Sequence, residues 1–144
     1  MDDLKLTESV KAVFTSEYLS VYVIPEEKQL YADWSGVLDA AKARAGCTAV
    51  LKCLQEYPCS KVLNNNSKVT GHYPGALDWV GTVWFPSMFA LGVKWFAWVY
   101  SSDFYTQINT DHVIRLSSQV QIETFYDLDA AQQWIAAFGL NDLN

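Results

Sequence analysis

The run Asn64-Asn65-Asn66-Ser67-Lys68-Val69-Thr70-Gly71-His72 gathers the side chains of this sequence that could do chemistry together. Each Asn amide both donates and accepts hydrogen bonds. Ser67 and Thr70 add hydroxyls, and His72 is one of two histidines in the chain. The run follows Ser60 to Leu63, which reads as the start of a buried strand, and open α/β sheets bind ligands beyond the ends of their strands. It is therefore expected to be a polar loop in which Asn64, Asn65, Asn66, Ser67, Thr70, His72 and Tyr73 meet a partner or ligand. The competing reading is that Asn and Ser close turns and helix starts through short local hydrogen bonds.

Catalysis finds weaker support. His72 with Asp78 could form an acid–base pair, and Ser67 could complete a triad. Spacing alone does not establish this, and the Gly-x-Ser-x-Gly turn that presents a serine nucleophile is missing from the sequence. His112 falls in a polar helix far along the chain, with nothing to pair it with His72. Cys47, Cys53 and Cys59 lack the C-x-x-C spacing of zinc or redox sites, and Cys47 lies on the apolar stripe of its helix. Asp33 and Asp39 have no geometric reason to act as a dyad. Neither a glycine-rich phosphate loop nor an HExxH pair occurs. The expectation is a non-catalytic binding protein with no cofactor and no metal. A second candidate site is aromatic: Trp79, Trp84 and Phe85, with Trp95 and Trp98, could line a pocket for a lipid or other apolar molecule, although such sets more often form core.

These residues need elements to position them. Leu19, Val21 and Val23 alternate with Ser20 and Tyr22, and Leu30, Ala32 and Trp34 with Tyr31 and Asp33, the period of half-buried strands. Pro25-Glu26-Glu27-Lys28 between them predicts a hairpin. From Val37 to Glu56 the spacing of Cys47, Val50, Leu51 and Leu54 is that of an amphipathic helix ending near Pro58. A second helix is predicted over Gly75 to Leu91, bent or broken near Pro86. Lys94 to Tyr100 reads as a central strand covered on both faces. A polar helix over Asp103 to Leu116 follows, then a short strand at Val120 to Thr124. Asp127 caps a last helix that turns Leu128, Ala131, Ile135 and Phe138 inward and stops at Gly139. The order ββαβαβαβα predicts an α/β fold with a mostly parallel five-stranded sheet, an antiparallel N-terminal edge hairpin and flanking helices.

Length and composition bound the rest. The 144 residues suit one domain, with an ordered core over about 10–140. Half the chain is hydrophobic (51%) and 15% is aromatic, far from the composition of disordered chains. A net charge of −6 repels phosphate backbones and anionic lipid surfaces, so nucleic acid is excluded as a partner. The odd cysteine count and the polar N-terminus MDDLKLTESV give no sign of a secretory signal, and a reducing cytoplasm is expected. Val80 to Tyr100 has the length of a bilayer span, but Pro86, Gly92 and Lys94 divide it between a buried helix and a buried strand. A soluble protein is expected.

The order of elements, taken with CSKVLNNNSKVTG, the aromatic helix ALDWVGTVWFP and the strand KWFAWVYS, resembles the small bacterial STAS family, the SpoIIAA-like proteins, over about Tyr18 to Phe138. The resemblance implies a SpoIIAA-like fold and an interaction or regulatory module that binds a protein partner. The related SEC14-like domains bind lipid, which makes an apolar-ligand binder the alternative. Regulatory members of the family carry a phosphorylatable Ser preceded by Asp at the start of the helix after the third strand. Here Thr70-Gly71-His72-Tyr73-Pro74-Gly75 occupies that place without an Asp-Ser pair, so an anti-sigma-factor antagonist switched by phosphorylation is a lesser alternative, with Ser67 and Thr70 as the nearby hydroxyls.

Overall fold

The structure, a computed structural model, describes residues 10–116 and 119–138, apart from the side chains of residues 104 and 105. Six strands form one sheet in chain order, each hydrogen-bonded to the next. Strands β1 (Lys11–Thr15), β2 (Leu19–Ile24) and β3 (Gln29–Val37) pair antiparallel. From β3 onward, β4 (Lys61–Thr70), β5 (Trp95–Val99) and β6 (Gln121–Phe125) pair parallel. From β2 to the last helix the elements run ββαβαβαβα, the order expected of a SpoIIAA-like α/β domain.

The sixth strand corrects the expected count of five. β1 escapes the alternation rule because it is an outer strand, exposed or half-buried at every position, with Val13 and Phe14 leaning on the core. The hairpin forms where predicted: Pro25–Glu27 make a single 3₁₀ turn, and Lys28 closes it in the left-handed region (φ 51°). The expected helix stop at Gly139 lies outside the described residues.

Helix α1 (Ala40–Glu56) starts at Asp39, whose carboxylate accepts the N–H of Lys42 at 2.8 Å. That cap satisfies one of the amides a helix N-terminus leaves unpaired. The next helical stretch is continuous: α2 (Pro74–Trp79), a π-helical turn over Val80–Trp84, then α3 (Phe85–Ala90). A break near Pro86 is thus replaced by a widening. Pro86 has no N–H for the carbonyl four residues back, and the preceding Phe85 N–H reaches Val80 O, five back. One extra residue per turn absorbs the proline without ending the helix.

Helices α1 to α3 and α4 (Phe104–Leu116) cover one face of the sheet, and α5 (Leu128–Ala136) covers part of the other. Side chains divide by strand parity. Leu30, Ala32 and Trp34 of β3, Val62 of β4 and Phe96 and Trp98 of β5 face the large helical layer. Tyr31, Leu63, Ala97 and Val99 face α5, where Ala131 and Ile135 meet them. On α5 the expected inward set holds at Ala131 and Ile135, while Leu128 and Phe138 are half-buried. β4 carries one extra residue between Asn65 and Lys68 relative to β3. This bulge resets the parity, so that Val69 joins the same core as Val62 although the two are an odd seven positions apart. Among the described residues no helix is long and apolar enough to cross a membrane.

Candidate functional site

The expected polar loop at Asn64–Ser67 is not a loop. Asn64, Asn65 and Asn66 lie inside β4, 2%, 0% and 4% exposed, so none of them can meet a protein partner as proposed from the sequence. Their burial is made tolerable by hydrogen bonds, because a buried amide without partners costs about 1–3 kcal/mol. On the helical side, Trp34 Nε1 donates to Asn64 Oδ1 at 2.8 Å, and Asn64 Nδ2 donates to Asn66 Oδ1 at 3.2 Å. On the opposite face, Asn65 Nδ2 donates to Tyr31 Oη at 3.0 Å, and Asn65 Oδ1 accepts the Ser67 N–H at 3.0 Å. The second of these bonds holds the bulge.

The rest of the segment divides. Ser67, Lys68, Thr70 and His72 are exposed, whereas Tyr73 is buried at the start of α2. Lys68 Nζ bonds Asp33 Oδ2 at 3.2 Å, across the β3–β4 ladder. Burial, helped by the nearby Cys47 thiol, pushes the Tyr73 phenol up, so it stays neutral. The carboxylate of Asp78, considered from the sequence as a partner of His72, instead stands 3.4 Å from His112 Nε2 at the surface.

The strand ends around this segment are tied together. Leu38 N donates to Thr70 O at 2.9 Å. Gly71 N donates to Asp103 Oδ2 at 3.3 Å, Thr106 Oγ1 donates to Gly71 O at 2.9 Å, and Ser101 Oγ donates to Val69 O. The carboxyl ends of β3, β4 and β5 are thereby fixed relative to one another.

Between the sheet and the helices lies a cavity of about 30 Å³, lined among others by Trp34, Asn64, Asn66, Tyr73, Trp84 and Trp98. Of the aromatic trio expected to form a pocket, Trp84 alone lines it. Phe85 packs into the core between Trp84 and Phe96, with ring centroids 5.1 and 4.8 Å away. Trp79 is half-buried beneath the Arg44 guanidinium, 4.9 Å from its centroid. Of the two tryptophans expected to join that trio, Trp98 lines the cavity and Trp95 does not. The residue that sequence reasoning left out is Trp34, assigned to its strand by alternation, which stands in the lining with Trp98. Had β4 been read through the asparagines, its parity would have placed Asn64 and Asn66 beside them.

All three cysteines are free and buried. Burial pushes the Cys47 thiol up strongly, the Cys59 thiol up to about 12, with Cys53 adding to it, and Cys53 up as well, with Glu56 adding to it. Thiols held protonated are poor nucleophiles. Cys47 and Cys59 are therefore expected to react with a disulfide reagent at neutral pH at least about 100-fold more slowly in the folded protein than in urea. Equal rates in the two states would show that these thiols are accessible.

No family model matches the chain and no curated protein matches it in sequence. Among solved structures it is similar to an uncharacterized protein with a SpoIIAA-like fold, of the DUF3478 family, from Shewanella loihica, at 12% identity and a TM-score of 0.46 over 88% of this chain and 91% of that one. It is also similar to the nuclease MPE of Pseudomonas putida, at 10% identity and a TM-score of 0.46, covering 83% of this chain and 61% of that one. Neither likeness carries an activity to this chain. Its own order of elements defines the class, an α/β domain built on a mixed six-stranded sheet.

Proposed function

We propose that this chain is a non-catalytic interaction module that binds a protein partner across the carboxyl ends of its parallel strands, in a cytoplasmic setting that suits three unpaired thiols. One observation carries the reading. Among the described residues, the two most exposed large hydrophobic side chains are Tyr126 at 80% and Val37 at 69%. Both stand at that same edge, Val37 as the last residue of β3 and Tyr126 directly after β6. Two strands lie between β3 and β6, and the register sets Val37 about three residues further along than Tyr126, so at roughly 4.8 Å per strand and 3.3 Å per residue the two anchors are about 17 Å apart. That span is wide for one small molecule and fits within the patch of about 800 Å² that one side of an ordinary protein interface covers. Tyr is enriched among the residues that dominate binding energy. The exposed Ser67, Lys68, Thr70 and His72 supply a polar margin beside Val37, which is paired in register with Thr70.

The cavity gives less support to the apolar-ligand alternative, since about 30 Å³ is an order of magnitude below the roughly 300 Å³ at which small-molecule pockets begin.

Affinity capture followed by quantitative binding tests the proposal. Val37→Ser and Tyr126→Ala together are expected to weaken partner binding by about tenfold or more with an unchanged unfolding midpoint. Phe89→Ser, which removes another exposed apolar side chain from α3, is expected to leave binding intact. Equal binding by the double variant and its parent would reject the edge as the interface.

A further inference from the structure

We propose that the cavity behind β3, β4 and β5 is a mostly apolar site with one free donor, built to hold one small neutral molecule that accepts a hydrogen bond from the indole of Trp98. That molecule is water in the free protein and a short alcohol or carbonyl compound as ligand. The site is separate from the edge proposed above for a protein partner, and it has a different chemistry.

The first observation is an unmet donor. Trp98 lines the cavity, is 4% exposed, and its Nε1–H has no hydrogen-bond partner. Buried N–H groups in folded proteins are nearly always paired, and an exception calls for a water, an ion or a functional role. Its neighbours differ in this respect. Trp34 Nε1 is satisfied by Asn64, and Trp84 Nε1 by Cys47 O at 2.9 Å. The three cavity tryptophans therefore leave one free donor.

The second observation is the register that surrounds it. Asn64 is paired with Trp98 across the β4–β5 ladder, which puts an amide and an indole side by side on one face of the sheet. Asn64 hands its Nδ2 to Asn66, which also lines the cavity. On the helical side Val113 of α4 lines the cavity, and Asn109, one turn earlier on the same helix face, is fully buried with both amide atoms unpartnered. Unmet polar atoms thus stand in the sheet and in the helix that covers it. A buried water needs 2–4 polar partners, and in the cavity lining the free Trp98 Nε1–H stands with the amides of Asn64 and Asn66.

Size and charge set the class of guest. About 30 Å³ exceeds the roughly 10–15 Å³ that one water needs, so the guest has one or a few heavy atoms. Every residue lining the cavity is uncharged at neutral pH, Tyr73 and Cys47 included. An ion would lose its hydration there with no counter-charge in return, which leaves neutral acceptors. Aromatic walls favour a guest with a small apolar end.

The test is nuclear magnetic resonance on the whole chain with ¹⁵N-labelled tryptophan, with methanol as the probe. The Trp98 indole proton is expected to show cross-relaxation with a long-lived water. Methanol is expected to shift the Trp34, Trp84 and Trp98 signals saturably, with a dissociation constant no tighter than about 10 mM, the ceiling for a two-atom ligand. Trp98→Phe, which keeps an aromatic ring and removes the donor, is expected to weaken methanol binding by up to about tenfold. The proposal is overturned if no water contact is seen and xenon enters the cavity, which would make it a dry packing void. It is equally overturned if the methanol shifts stay linear with concentration, or if Trp98→Phe binds methanol as its parent does. Should Trp98→Phe fail to fold, the water contact and the saturation in the parent protein decide the matter.

Discussion

Cutting Trp98 to alanine should remove about 3–5 kcal/mol of folding stability, the range for a large buried aromatic, whereas Trp98→Phe should cost well under half of that. The ring sits in β5, a strand with a neighbour on each side, and packs against Phe96 and Phe85 with centroids 5.4 and 6.0 Å away. Alanine loses those contacts and leaves a void. Phenylalanine keeps most of the ring, and because the indole N–H meets no protein acceptor, its removal breaks no hydrogen bond within the chain. Trp84 provides the contrast. It is as deeply buried, but its indole donates to Cys47 O, so Trp84→Phe should cost about 1 kcal/mol more than Trp98→Phe. Urea unfolding at constant slope would measure all three. A loss below about 1 kcal/mol for Trp98→Ala would place the ring outside the core, and equal costs for the two phenylalanine variants would mean that the Trp98 indole has an acceptor within the chain or a bound water that contributes as much as one.

The same pair of tryptophans shows how far the sequence could be read. Strands with clean alternation, β2 and β3, were legible, as were the Asp127 cap, the hairpin turn and the order of elements, because each rests on local rules of period and capping. The asparagine run misled for a physical reason. A triplet of amides looks like a turn because its polarity is a property of single residues, whereas its burial depends on partners far away in sequence: Trp34 for Asn64 and Tyr31 for Asn65. Three successive asparagines in a strand also point alternately to the two sides of the sheet. No amphipathic pattern survives, and each amide is satisfied by a different layer.

The interaction edge was half legible for a related reason. Ser67, Thr70 and His72 were singled out as polar and accessible, and they are exposed. Val37 reads from the sequence as the start of the helix, which instead begins at Ala40 and leaves Val37 as the end of β3, and Tyr126 was passed over because a single hydrophobic residue on a surface is ordinary. What gives these two weight is the topology, which brings the end of β3 and the end of β6 to one edge of the same sheet.

That edge depends on one glycine, and Gly71→Ala should be the most damaging small substitution in it, costing about 3 kcal/mol or more. Gly71 sits at φ +113°, which side-chain-bearing residues avoid, and a Cβ built there would lie 2.4 Å from the carbonyl oxygen of Leu38. The oxygen belongs to backbone between β3 and α1 and cannot swing aside like the end of a flexible side chain. Moving it would disturb the Leu38 N to Thr70 O bond and the two bonds that tie Gly71 to Asp103 and Thr106. Gly92 is the control. Its φ of +104° is nearly the same, but nothing lies within 4 Å of a Cβ placed on it, so Gly92→Ala should cost only the conformational strain, about 1–3 kcal/mol. Both replacements stiffen the unfolded chain equally, and that contribution cancels in the comparison. The remaining difference, about 1–3 kcal/mol, measures the overlap with Leu38. Because Val37, Thr70 and His72 flank the clamp, Gly71→Ala should also weaken partner binding in material that stays folded, while Gly92→Ala should not. Equal losses of stability in the two variants would show that β3 and β4 are not held this close at their carboxyl ends, and the rigid edge proposed for partner binding would lose its support.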